Sequence, residues 1–481
     1  MITDKSIFKA LARHRNTAHI IIGPVAFVLT AFLLNTAFSF KAAIAVALTV
    51  WMGLWWILRP VDIAVTSFLP IAVNSVFDLV PAGSVISQYF SEIVVLLIGS
   101  DIISLTWTKS GLDRRLAVSA LAFIGPSVRQ QITVWLTASL ILSAFLPNVV
   151  VVMIFTPIAI SMLKFVGDTD VAQSKLAVPI LLAIAWGAGV GGFGSPLGGA
   201  ANLTAIAYLE KMIGHEFMYI DWVIRFVPFL IAILLLNLVV LLAIPVPIKR
   251  LADTKEYFLN LKREFGPMNR GEKIGLFLFV TATLLAFLRP FFASYLPAMR
   301  PAYVFFIGGL LTFVLKDHNG DVMVTWKEAE KELMWGMFFL FAGGLALGRI
   351  VTTTGAANRL AEIIATLPLT GGVETIGIFT IFASFLSEIS SNTAAASISI
   401  PVIESISRAL GLNPIPYVLM SIVAVNCAYI LPVSTRAIPV SCGLSPSLLF
   451  KYGLKLAVLN AVLNTLLGWL AITFWPLFNS L

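Results

Sequence analysis

Residues 387–401 read SEISSNTAAASISIP, and 244 positions earlier residues 143–157 read SAFLPNVVVVMIFTP. The register matches Ser143 with Ser387, Asn148 with Asn392 and Pro157 with Pro401. The same offset carries Gly99 onto Gly343, and the run GLDRRLA at 111–117 onto GAANRLA at 355–361, so the chain holds two long halves built on one plan. In an apolar chain, halves that are each interrupted by a short polar motif at corresponding positions point to a binding site shared between the two copies.

The chain has 481 residues, of which 59% are hydrophobic and 12% charged, with a mean hydropathy of +0.96. A water-soluble core cannot hide that much apolar surface, so the class is an all-α polytopic membrane protein. Stretches that satisfy the roughly 20 helical residues needed to cross a bilayer recur along the chain, giving about 11 transmembrane helices plus two re-entrant hairpins. The first 16 residues carry Lys5, Lys9, Arg13 and Arg15, and the apolar run behind them lacks a small-residue cleavage site, which reads as a retained first helix.

The formal charge of +8 does not indicate nucleic acid, because the basic residues sit in short loops. The largest group, Lys249, Arg250, Lys255, Lys262, Arg263, Arg270 and Lys273, separates the halves. By the positive-inside rule this linker and the N-terminus are cytoplasmic, and the C-terminus lies outside a cell (inner) membrane. An odd number of spans per half then makes the repeats inverted. The expected division is 1–60 as N-terminal scaffold helices, 61–248 as the first repeat, 249–271 as the basic linker and 272–481 as the second repeat.

Within the first repeat an apolar hairpin is expected near 130–166, and a long helix is broken at GAGVGGFGSPLGGAAN, 187–202. The second repeat echoes this with a hairpin near 372–410 and a helix broken at LPVSTRAIP, 431–439. Such breaks free backbone groups that hydrocarbon cannot hydrate, and they persist only where protein or a watery cavity satisfies them. Hydroxyls and amides at the tips suit carboxylate oxygens, half-helix N-termini add partial positive charge, and unwound carbonyls suit a hard cation. Cys427 and Cys442 read as small packing residues. His14, His19, His215 and His318 fall near span ends without zinc spacing.

Together the paired hairpin motifs, the two helix breaks and FAGGLALGR at 341–349 resemble the divalent anion:sodium symporter family of the ion transporter superfamily. The resemblance implies a homodimer in which an elevator-like transport domain carries a dicarboxylate and sodium between two Ser-Asn-Thr tips. Carried over by motif, it places Asn148, Ser391, Asn392 and Thr393 at the substrate, and Thr435 and Arg436 of the second helix break join them as candidates from this sequence itself, completing the expected substrate-binding set. Sodium falls to Ser143 and Asn148 on one side, and to Ser387, Asn392 and Ser434 on the other. Sodium is the only accessory implied, and membrane lipid and a small anion are the other expected partners. The first tip departs from the family pattern, since Pro147 and Val149 stand where hydroxyl residues are expected.

Arg436 is a second departure, and a cation inside a span costs about 2.5–3.5 kcal/mol, so it needs a task or a partner. Three readings stay open: it binds the anion, it stands in for sodium, or it pairs with Asp101 or Glu388. Either acid, if desolvated, offers a proton-coupled variant. A sodium-independent exchanger, an arsenite or sodium/proton carrier of the same superfamily, and a channel remain alternatives. An enzyme is disfavoured, because HExxH and GxSxG arrangements are missing from the sequence.

Overall fold

The computed structural model describes the chain except residues 1–2, 173, 252, 357–358, 360–368 and 481, with side chains from residue 18 onward. Lys5, Lys9, Arg13 and Arg15 and most of the GAANRLA run therefore lie outside the described side chains. Every regular element among the described residues is helical. Among the described residues seven helices are long and apolar enough to cross a membrane, and four shorter apolar helices accompany them.

The first half opens with α1 (Thr3–Leu34) and α2 (Phe40–Leu58), packed together, the latter capped by Ser39. The apolar stretch at 63–77 is split into α3 (Ile63–Thr66) and α4 (Leu69–Phe77), where Pro70 restarts the helix as an N-terminal residue. After the short α5 (Ala82–Ile86), α6 (Glu92–Ser110) ends at Gly111, whose φ is 79°. Its repeat mate Gly355 has φ 76°, so both copies leave this helix through the same left-handed corner.

Beyond α7 (Leu112–Leu121) lie the arms of the first hairpin, α8 (Val128–Ser143) and α9 (Asn148–Phe165), and a broken pair, α10 (Ala177–Gly191) and α11 (Ala200–Ile213). Every residue of α10 is buried, the signature of a helix enclosed on all sides. It lies tight on α8: a Cβ at Gly187 would come within 2.6 Å of the Leu136 carbonyl oxygen. The half closes with α12 (Tyr219–Leu242).

The basic linker, expected as a polar connection between the halves, contains a helix, α13 (Thr254–Glu264). Phe258 packs edge-on to Trp135 of α8, and Gln131 donates to the Thr254 hydroxyl at 2.9 Å, which ties the linker to the first hairpin. Arg115 of α7 grips its far end through Glu272 (2.6 Å) and the carbonyls of Phe265 and Gly266.

In the second half, α14 (Arg270–Phe287), α15 (Arg289–Phe292) and α16 (Pro301–Thr312) lead through α17 (Trp326–Glu332) to α18 (Trp335–Thr353). The second hairpin is α19 (Val373–Ile389) and α20 (Asn392–Ala409). The second broken helix is α21 (Pro414–Asn426) and the short α22 (Ala437–Ser441), followed by α23 (Pro446–Phe474) and α24 (Pro476–Asn479). The break expected at 431–439 begins earlier, at Cys427. Along α23, Val458, Val462, Leu466, Leu470 and Phe474 are exposed at every fourth residue, an apolar stripe suited to lipid.

Packing groups α6, α14 and α16 on one side, and the hairpins, broken helices and α12 on the other. At the end away from the basic linker these groups are joined by ion pairs. Arg289 holds Glu216 through two nitrogens (3.0 and 3.1 Å), while Arg300 reaches Glu210 at 2.7 Å and also pairs with Glu92. Both arginines belong to the α15–α16 side, and Glu210 and Glu216 to α11 and the segment after it.

Candidate functional site

Each hairpin tip repeats one small device. Ser143 Oγ lies 2.8 Å from both Asn148 Oδ1 and the Ala188 carbonyl oxygen. Ser387 Oγ lies 3.0 Å from Asn392 Oδ1 and 2.5 Å from the Val425 carbonyl oxygen. A hydroxyl has one proton to give, so in each cluster three oxygens share one hydrogen. That leaves a surplus of lone pairs, which is what a hard monovalent or divalent cation takes from protein oxygens. The serines lie in the last turns of α8 and α19 and the asparagines begin α9 and α20, while the carbonyls come from the last turns of α10 and α21 before they break.

The two tips meet across amides that the sequence reading did not single out. Asn392 Nδ2 donates to Asn426 Oδ1 at 3.4 Å, and Asn426 Nδ2 donates to Asn202 Oδ1 at 3.4 Å. Asn202 in turn donates to the Gly192 and Ser195 carbonyls at 2.7 and 2.8 Å, satisfying backbone freed where α10 unwinds. Asn426 also comes against the first tip, since a Cβ built at Gly192 would meet Asn148 Nδ2 at 2.7 Å and Asn426 Oδ1 at 2.9 Å.

A cavity of about 230 Å³ opens beside these amides. Asn148 with Pro147 and Val149, Ser391, Asn392 and Thr393, and Ser434 all line it, so both tips face one space. The first residues of α9, α11 and α20 line it, which sets three helix N-termini beside the cavity, and Ser391 caps α20 by accepting from Ala394 N at 3.2 Å. Ser434 adopts φ 56°, a left-handed conformation that is costly for a serine and is found here at the cavity wall. On the opposite wall stand Ser100, Asp101 and Ser104 of α6.

Arg436 and Thr435 are not among the residues lining this cavity; both are buried behind it. The Arg436 guanidinium donates to the Leu431 carbonyl at 2.6 Å and the Ala428 carbonyl at 2.9 Å, and lies 3.3 Å from Glu388. Glu388 accepts the amides of Tyr429, Ile430 and Leu431. The pair thus clasps the unwound segment from both polarities: carboxylate to its N–H groups, guanidinium to its carbonyls. Of the three readings of Arg436, the contacts in this structure are those of the ion pair, with its donors turned to backbone and to Glu388. The clasp also explains the early break, since it replaces the helical bonds from Cys427 onward. In the first half Ala144 stands where Glu388 would be, and Ser195 and Asn202 do the equivalent work. Asp101 does not meet Arg436; its Oδ2 accepts the Met334 amide at 3.0 Å.

Comparison with known proteins bears on what this arrangement does. The model of the citrate transporter family matches residues 53–424. The chain belongs to that family. It is 30% identical to the sodium-dependent dicarboxylate transporter SdcS of Staphylococcus saprophyticus over 431 residues, 86% of this chain and 83% of the relative. The SdcS proteins of Staphylococcus aureus strains MW2 and COL are 29% identical over the same coverage. In three dimensions the chain resembles the YdaH transporter of Alcanivorax borkumensis, with a TM-score of 0.54 at 13% identity, covering 82% of this chain and 88% of that one. That likeness is one of fold. The motif resemblance to divalent anion:sodium symporters agrees with the family match and the relatives.

Proposed function

We propose that this member of the family is a secondary carrier that moves a small dicarboxylate-like anion coupled to sodium. The observation that carries the reading is the repeated serine–asparagine–carbonyl cluster at the two tips, flanking one cavity. In this reading the clusters Ser143, Asn148 and the Ala188 carbonyl, and Ser387, Asn392 and the Val425 carbonyl, each take a sodium ion. Ser434, on the cavity wall, is the remaining oxygen donor near the second. Filling them adds positive charge beside the cavity, which then accepts a carboxylate on Asn148 Nδ2, Asn392, Thr393 and the facing helix N-termini. Because Pro147 and Val149 present no hydroxyl, the anion leans on the second tip.

Transport follows if the tip-bearing helices move as one body past α6, α14 and α16, opening the cavity to each side in turn. A homodimer in the cell membrane, with the N-terminus and basic linker inside and the C-terminus outside, completes the proposal. The names of the Staphylococcus relatives support sodium and dicarboxylate as the pair.

The test is uptake of labelled succinate by reconstituted protein under an imposed sodium gradient. Sodium-driven accumulation is expected, with the sodium needed for half-maximal rate raised about tenfold or more in Ser387→Ala, since one oxygen ligand of the ion is lost. Uptake indifferent to sodium, or absent, overturns the proposal.

A further inference from the structure

The cavity is chemically two-faced. On the tip side stand donors: Asn148 Nδ2 and the amide ends of α9, α11 and α20. On the α6 side, Leu97, Ser100, Asp101 and Ser104 fall on one stripe of the helix, spaced at about one turn. Here the groups are acceptors. Ser100 Oγ gives its proton to the Leu97 carbonyl at 3.1 Å, and Ser104 Oγ gives its own to the Ser100 carbonyl at 2.9 Å. What both offer the cavity is lone pairs. Asp101 Oδ2 is engaged by the Met334 amide, while Oδ1 accepts no hydrogen bond from any described residue.

Among the described residues no lysine, arginine or histidine lines the cavity, and Asp101 is the single ionisable side chain that does. The other charges on α6 lie at its two ends and are committed elsewhere, Glu92 to Arg300 and Lys109 to Glu328 at 2.8 Å. A carboxylate with a free oxygen, in a space built for an anion, repels a second bare carboxylate and welcomes a hydrogen-bond donor.

We infer that Asp101 is a specificity-determining residue that selects anions carrying a hydrogen-bond donor on the side turned toward α6. The substrate class is therefore a small carboxylate bound by its anionic end at the tips and by an O–H at Asp101. That O–H is either a hydroxyl on the carbon chain or the proton of a half-ionised second carboxyl. The inference rests on the reading of this cavity as the anion site. A volume of about 230 Å³ suits such a molecule and falls below the roughly 300 Å³ at which drug-sized pockets begin.

The experiment is equilibrium binding of malate and of succinate to purified protein in sodium, comparing wild type with Asp101→Asn and Asp101→Leu. Asparagine keeps an acceptor for the Met334 amide, and leucine is the residue at the repeat-related position 345. At a pH where both acids are fully ionised, wild type is expected to bind malate about tenfold or more tightly than succinate if the hydroxyl is the donor. If the carboxyl proton is the donor, wild-type affinity for succinate instead rises as pH falls into the titration range of succinate. In either arm the preference shrinks in Asp101→Asn and vanishes in Asp101→Leu, and fully ionised succinate binds the variants more tightly than it binds wild type. The same malate-to-succinate ratio and the same pH dependence in all three proteins overturn the inference while leaving the carrier reading intact. Failure of wild type to bind either acid overturns both. A melting temperature within a few degrees of wild type identifies variants that have folded.

Discussion

At the scale of single residues the site divides into groups that face the cavity and groups that hold backbone, and sequence distinguishes them unevenly. Ser143, Asn148, Ser387 and Asn392 were legible because the 244-residue offset pairs them. Asn202 and Asn426 were not, because they are no repeat mates and join the halves only where the chain brings two different breaks together. The carbonyls of Ala188 and Val425 carry no side-chain signal at all. For Arg436 the cost of a buried cation was readable and so were two candidate acids, Asp101 and Glu388; the structure sets it against Glu388, a choice that the order of residues does not make because it does not say which way a fork points. Replacing Arg436 with methionine leaves Glu388 without its cation and two carbonyls without a donor. The expected result is a loss of about 3 kcal/mol of stability, seen as a lower unfolding midpoint in detergent with or without anion. A variant of unchanged stability that has lost only anion affinity contradicts the clasp. Gly192→Ala probes the ligand side: its methyl group falls on the Asn148 and Asn426 amides, so affinity should drop about tenfold, about 1.4 kcal/mol, with folding preserved.

At the scale of elements, the hairpins expected near 130–166 and 372–410 from apolar length compare with helix pairs at 128–165 and 373–409, and the first broken helix unwinds over 192–199, inside the glycine-rich run at 187–202. Three features escaped. Helix α13 is polar and short, and its position comes from Phe258 and Thr254 packing on the first hairpin, a contact across distant sequence. The apolar stretch at 63–77 breaks at 67–68, and the second broken helix unwinds from Cys427 because Glu388 stands ready to take its amides. Outside the membrane, α17 shows what a well-signalled helix looks like: Thr325 and Glu328 form a reciprocal cap, and Lys109 joins it. The Lys109 hydrogen bond and the Thr325 amide together hold the Glu328 carboxyl down at about 2, against an ordinary 4.5. A depressed folded value contributes stability that is complete above the unfolded one and is lost as pH falls through the folded one. The stability difference between wild type and Glu328→Gln should therefore stay constant across neutral pH and shrink only between about 4.5 and about 2, as urea titrations at stepped pH would register.

At the scale of the whole molecule, the grouping of helices into two packed sets is a property of tertiary contact that periodicity could not report, although the repeat foretold that equivalent helices would behave alike. The four-charge cluster of Arg289, Arg300, Glu210 and Glu216 spans the seam between those sets. Arg289→Gln strips Glu216 of its fork and should ease relative motion of the sets, raising the rate of substrate exchange while lowering thermal stability; labelled-substrate counterflow and a melting curve would measure the two. A deeper consequence concerns the medium that bathes that seam. If one set travels, oppositely charged side chains must part company at a single end of the protein and be re-solvated there, so the toll on each crossing depends on how well dissolved ions substitute for the lost mates. Turnover should then quicken when salt is added in the compartment facing away from the basic linker, and ignore the same salt on the other side, giving the carrier a one-sided sense of its surroundings.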